Sequence, residues 1–483
     1  MISMNRYLRH QLVRPAAVLV ALGLVMGLAR LTLPVNAEAE TAAQPGRAPI
    51  GRVTVVCPEP SLSRVAVATA PGGDGTGSAD VRLLGAKGKD GDGQLKSVQR
   101  RGVVWTEEFG ENASATVVHA RQSMAASLEA EQVSNTERGL SGTRCTRPAT
   151  NFWFVGDGVE LGRTTKLYLV NVDNVPVTLT VDVYGPKGPV ATLAGSSITV
   201  EPDSRRAIKL GALAPKAPIV ALHIETNTGR IAAALHTSVN QGERSGIDWV
   251  PATSAPRKKL VVPGLPGGEG PRRLLLAVPG DRPARVQMQV VTTEGTYAVQ
   301  KKKAVRVPPG SVKSIGLAQA LSERAGAVRI TSNVPVTAAA GVSAGEDVTY
   351  VSAVSSIGEG GAVVSANGPG SDVTSTLLLT APTKPAAVRV RTFGHEGPVG
   401  QTDVVKIPTG RTVSVEVPAP SAVEGNFALV VTPVPGSGPI YGARLLRGSG
   451  ADMSSMTLLP LETSRGWVRM PNAEEGLGSI IER

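Results

Sequence analysis

One stretch of sequence recurs three times in different letters. From Pro176 the chain reads Pro-Val-Thr-Leu-Thr-Val-Asp-Val, from Pro283 Pro-Ala-Arg-Val-Gln-Met-Gln-Val, and from Pro385 Pro-Ala-Ala-Val-Arg-Val-Arg-Thr. The copies lie 107 and 102 residues apart. Solenoid repeats have periods of about 20–50 residues, so a domain-sized period means tandem modules.

The match extends on both sides. Leu167-Tyr-Leu-Val, Leu274-Leu-Leu-Ala and Leu377-Leu-Leu-Thr precede the three copies. Val200-Glu-Pro-Asp-Ser, Val307-Pro-Pro-Gly-Ser and Ile407-Pro-Thr-Gly-Arg follow, each a strand end running into a turn. The copies close on Ile247-Asp-Trp-Val-Pro, Val348-Thr-Tyr-Val-Ser and Met456-Thr-Leu-Leu-Pro. Val177, Leu179, Val181 and Val183 alternate with Thr178, Thr180 and Asp182. That is a strand with one buried and one wet face, as in antiparallel sheets. About seven short strands in some 90 residues predict an all-β chain of tandem immunoglobulin/fibronectin-like β-sandwich repeats. Helix signals are weak, with one short turn expected between Val312 and Ala325.

The 483 residues suffice for three to four domains. Arg6, Arg9 and Arg14 precede an apolar run, Pro15 to Val35. As a helix it spans about 31 Å, enough for a bilayer core. Basic residues before it and Glu38 and Glu40 after it place the remainder outside. A cleaved signal peptide is the competing reading, with Val35-Asn36-Ala37 as a small-residue cleavage site. Both readings export residues 40–483. The expected organisation is a cytoplasmic start (1–14), a transmembrane helix or signal (15–35) and a tether (36–50). A divergent β domain with a Gly-rich insertion (51–149) and the first repeat (150–253) follow. A basic linker (254–269), the second repeat (270–356), a linker (357–372), the third repeat (373–463) and a tail (464–483) complete it.

Cys57 and Cys145 are the only cysteines. In an exported chain two cysteines pair, and this pair would close an 88-residue loop before the first repeat. Net charge is +11, or +7 with Arg6, Arg9, Arg14 and Arg30 set aside. Arg257, Lys258, Lys259, Arg272, Arg273, Lys301, Lys302 and Lys303 form basic clusters able to meet anionic wall polymers or lipid headgroups. A solvated loop surface is the plainer reading. Aromatic content of 3% leaves no stacking platform for nucleic acid.

Motifs for chemistry are sparse. Gly341-Val-Ser-Ala-Gly345 matches a nucleophile elbow, but no helix pattern follows it and His395 is the only later histidine. Asp90-Gly-Asp-Gly is faintly like a calcium loop, yet Arg101 stands where an EF-hand needs Glu. No histidine has an i, i+4 partner. His223 and His236 fall on strands that the repeat pairs, which would make them neighbours. Phe152 and Trp153 are expected to fill the junction between the first domain and the first repeat. No catalytic residue, metal site or cofactor is assigned.

At Cys57-Pro58, Cys145-Thr-Arg-Pro, Phe152-Trp-Phe-Val-Gly156 and Leu167-Tyr-Leu-Val-Asn…Tyr184-Gly-Pro, the chain resembles an uncharacterised actinobacterial family, domain of unknown function 5719. The resemblance implies a cell-envelope protein beside a membrane glycosyltransferase, and transfers no catalytic residue. The expected function is a non-enzymatic, membrane-anchored extracytoplasmic spacer and protein-interaction scaffold. The alternatives are a binding module for anionic wall polymers and an accessory component of a glycan-synthesis system.

Overall fold

A computed structural model describes residues 47–469 together with Gly23. Within that range residues 60, 73–75, 86–93, 242–243, 300–303, 345–346, 369–372, 422, 424 and 450–453 are left undescribed. Residues 49–467 form one compact unit, the subject below. Apart from Gly23, the anchor-or-signal run lies outside the described residues, as do the Asp90-Gly-Asp-Gly loop and the ends of the tether and tail. Among the described residues no helix is long and apolar enough to cross a membrane.

The unit is all-β and contains four two-sheet sandwiches. The first comprises β1 (Arg52–Cys57), β2 (Ser63–Ala68), β3 (Ala79–Leu83), β4 (Gln94–Val98), β5 (Val104–Phe109), β6 (Thr116–Arg121), β7 (Glu129–Thr136) and β8 (Gly139–Arg144). The second comprises β9 (Asn151–Asp157), β10 (Arg163–Asn171), β11 (Val177–Gly185), β12 (Gly188–Val190), β13 (Ile198–Val200), β14 (Ser204–Lys209), β15 (Ile219–Thr228), β16 (Ala232–Gln241) and β17 (Arg244–Val250). The third comprises β18 (Arg257–Leu265), β19 (Arg272–Val278), β20 (Ala284–Thr292), β21 (Thr296–Ala298), β22 (Val305–Val307), β23 (Ser311–Gly316), β24 (Gly326–Ala344) and β25 (Asp347–Ser352). The fourth comprises β26 (Ala362–Asn367), β27 (Val373–Ala381), β28 (Ala386–Phe393), β29 (Pro398–Ile407), β30 (Arg411–Val417), β31 (Phe427–Pro433), β32 (Tyr441–Ser449) and β33 (Ser454–Pro460).

All four share one strand order. In the first sandwich the sheets run β1-β6-β3-β4 and β5-β2-β7-β8, and the second and fourth repeat this scheme. In the third, the sixth and seventh strands are the two halves of β24, which passes from one sheet into the other. Pro176, Pro283 and Pro385 each immediately precede the third strand, as the repeat requires.

Three expectations need correcting. An immunoglobulin sandwich groups its first, second, fifth and fourth strands against its third, sixth and seventh. Here the first strand lies beside the sixth and the seventh beside the second. Alternation identifies a strand and its buried face but not its partner. Residues 51–149 are not divergent in topology. The expected linkers 254–269 and 357–372 hold β18 and β26, the first strands of the third and fourth sandwiches.

The sandwiches are not separate beads. The outer face of each first-sixth-third-fourth sheet packs on the second and seventh strands of the next sandwich. Val56 and Val117 meet Val170 and Ala232. Val155, Ile219 and Ala221 meet Leu275, Ala277 and Ala339. The core of the third sandwich continues into Leu378, Ala443 and Leu445 of the fourth. Val363 and Val430 then meet Ala66 and Ala68 of the first, which closes a ring. Burying a side chain such as Leu275 contributes about 1.5–3 kcal/mol, and each junction buries several.

Candidate functional site at the axis of the ring

The last strands of the four sandwiches, β8, β17, β25 and β33, come together in the middle of the ring. Asp248, Thr349 and Thr457 hold corresponding steps on β17, β25 and β33, and Gly142 lies beside them on β8. The third and fourth sandwiches thus present a hydroxyl where the second presents a carboxylate. Asp248 Oδ1 accepts the Gly142 N–H at 3.2 Å and the Thr457 hydroxyl at 2.9 Å. Its Oδ2 accepts the Thr349 hydroxyl at 2.6 Å, and Thr349 Oγ1 in turn accepts the Leu458 N–H at 3.0 Å. One carboxylate therefore ties all four sandwiches. A Cβ at 142 would press to 3.1 Å on both the Thr457 and Leu459 side chains, so glycine fits this step without displacing them.

Two residues earlier on β25, Asp347 forms a second layer. Its Oδ2 accepts the Met456 N–H at 2.7 Å and its Oδ1 the Val348 N–H at 2.8 Å. A Cβ on Gly246 would stand 2.7 Å from Asp347 Oδ1. Burial pushes the Asp248 carboxyl well above the usual range, with nearby Asp347 adding to the rise against the hydroxyl bonds. Burial likewise pushes Asp347 up to about 7, while the two backbone N–H groups pull it down. The axis is a seam of buried carboxylates bonded to the protein's own donors, and among the described residues no group of three or more His, Cys, Asp or Glu is placed to hold a metal ion.

Two further buried charges sit at junctions. Arg444 of β32 reaches Glu131 of β7 at 3.0 Å, both side chains almost fully buried. Glu131 Oε2 also accepts the N–H groups of Ser365 and Ala366 at 3.0 and 2.8 Å. Asp157, at the end of β9, accepts from Arg163, from Arg273 and from the Tyr350 hydroxyl, across the second and third sandwiches.

Cys57 and Cys145 form a disulfide between the end of β1 and the residue after β8. The basic candidates disperse. Arg257, Lys258 and Lys259 are exposed at the start of β18. Arg272 is buried and donates to the carbonyls of Pro266 and Gly270, and Arg273 is committed to Asp157, so neither is available to a polyanion. Lys301, Lys302 and Lys303 lie outside the described residues. Gly341 to Ala344 are the end of β24, so Ser343 is on a strand and not an elbow.

His223 and His236 sit on β15 and β16, in different sheets, and are not neighbours. His223 stacks on Trp153 with ring centroids 4.1 Å apart and faces Asp182 at 3.4 Å. Phe154 lies in the core of the second sandwich, with Phe152 packed against it. Trp153 points to the opposite face beside Tyr184, which packs toward the third sandwich. These aromatics therefore do not fill the first junction. That place is taken by Val56, Val117, Val170 and Ala232.

A sequence-family model described as "Family of unknown function (DUF5719)" matches residues 104–418. The match starts at β5 of the first sandwich and ends just past β30 of the fourth, so it spans parts of all four. No curated protein matches the chain.

Proposed function

The chain belongs to the family of unknown function 5719, and we propose that it acts as a non-enzymatic, exported interaction scaffold built as a rigid ring. The observation carrying this reading is the closure of four sandwiches around an axis whose carboxylates are occupied by the protein's own donors. A closed ring offers broad, fixed faces and little reach, which favours the scaffold over an extended spacer. The apolar N-terminal run supports tethering to a membrane, with the ring outside and an envelope protein, such as a membrane glycosyltransferase, as partner.

The test is site-specific photocrosslinking in intact cells from exposed positions such as Leu193, Val404 and Lys258. A scaffold gives discrete adducts with envelope proteins from some positions and none from others. Uniformly absent adducts, with the ring intact, contradict it. The second reading, binding of an anionic polymer, is favoured by the exposed Arg257, Lys258 and Lys259 and is developed next.

A further inference from the structure

On the outer face of the second sandwich four residues stand in direct cross-strand register. They are Lys209 on β14, Lys166 on β10, His236 on β16 and Trp249 on β17. Trp249 is buried, and its ring meets His236 edge-on at 4.8 Å. The row thus runs from a buried indole on the axis strand to an exposed lysine on the outermost strand. The first sandwich adds a third cation. Arg138, in the turn between β7 and β8, donates to Ser238 Oγ at 2.8 Å. Ser238 is two residues along β16 from His236, on the same face.

The row is electrostatically mismatched as it stands. Like charges directly opposite one another on paired strands destabilise a sheet, and Lys166 and Lys209 are such a pair. Among the described residues none of Lys166, Lys209 and Arg138 forms an ion pair with a carboxylate. Glu137, beside Arg138 in sequence, is exposed. Nearby on the same face, Glu59 is matched to Arg205 at 3.7 Å. Burial, then Lys166 and Arg138, hold His236 down to about 4.

We propose that this face is an oxyanion-binding site and that its ligand is a phosphate group carried on a polymer chain. The inference rests on the polymer-binding reading but places it on different residues from Arg257, Lys258 and Lys259. Three permanent cations suit a doubly charged phosphate better than a single carboxylate. The exposed end at Lys209 leaves room for a chain to continue past the bound group. An anion seated there opposes the field that depresses His236, so occupancy is readable on that imidazole.

The experiment follows the histidine Cε1–H resonances of the full chain in detergent, titrated with pyrophosphate and with sodium polyphosphate. Without ligand, His236 titrates near 4 and both probes move its midpoint upward by about one unit, with His395 unmoved. The double variant Lys166→Gln/Lys209→Gln loses that shift and weakens polyphosphate binding about tenfold or more, with thermal stability retained. A chain ligand is supported if polyphosphate binds at least about tenfold tighter than pyrophosphate, and equal binding supports the oxyanion site with free phosphate as its occupant. An unmoved His236 midpoint, or wild-type binding by the double variant, overturns the site. Loss of binding in Lys258→Gln/Lys259→Gln alone overturns this site and leaves polymer binding at β18.

Discussion

Glu131 and Arg444 lie 3.0 Å apart with almost no exposure, on strands of the first and fourth sandwiches. Removing one member of a buried pair strands the other charge, at a cost of about 3–5 kcal/mol. Glu131→Ala and Arg444→Ala should each lower the unfolding free energy by that much, and the double Glu131→Leu/Arg444→Met should recover part of it. A loss in the double variant equal to the sum of the two single losses would show that the pair is not coupled. Asp347 sets a pH dependence. Its folded carboxyl is raised to about 7 by burial, so between about pH 4 and 7 the folded state holds a proton that the unfolded chain has lost. Stability should fall as pH rises through that window, by up to about 1.4 kcal/mol per unit. His236 acts with the opposite sign. Its depressed value means stability is lost as pH falls below about 6.5 toward 4. The comparison is therefore Asp347→Asn against wild type in thermal melts from pH 4.5 to 7.5. The variant should decline with rising pH by up to about 1.4 kcal/mol per unit less than wild type, keeping what Asp248 and His236 contribute, whereas identical slopes would reject the assignment. Neither Asp248 nor Asp347 was legible in the sequence as a site. Their meaning depends on four strands about 100 residues apart converging on one axis.

At the scale of elements, alternation marked strands with one wet face, while strands buried on both faces, such as Asp347–Ser352, were legible only where the repeat carried them. The alternation in Val177–Gly185 places Val177, Leu179, Val181 and Val183 in one core. In β19, Leu274 and Leu276 enter the core of the third sandwich while Leu275 and Ala277 enter the junction with the second. Burial on both faces erases the period of two. For the same reason Leu260 to Leu265, a continuous buried run behind three exposed cations, reads as a linker and is the first strand of a sandwich. The cysteine pairing was legible because two cysteines allow only one bond within the chain. Closing that 88-residue loop contributes roughly 4–5 kcal/mol in the chain-entropy model. Cys57→Ser/Cys145→Ser should lower unfolding free energy on that scale, and a change below about 1 kcal/mol would show that the bridge is energetically idle.

For the whole molecule, the period of about 100 residues announced modules but not how they close. Nothing in a repeat distinguishes a row from a ring, because the contacts that close it are between unlike faces of successive copies. The ring claim reduces to one contact, that of the fourth sandwich with the first. There the Val104 N–H donates to the Gly394 carbonyl at 3.1 Å, and Arg100 donates to the His395 carbonyl at 3.3 Å across 295 residues of chain. Because the two native cysteines are bonded to each other, introduced cysteines would be the only free thiols. The decisive measurement is short-span bifunctional maleimide crosslinking of Arg100→Cys/His395→Cys in the monomeric full chain, read by mass spectrometry. A ring predicts rapid intramolecular linkage of the two peptides at high yield. Mono-adducts alone, with the protein folded and both thiols reactive, would contradict it and restore a row of separate sandwiches.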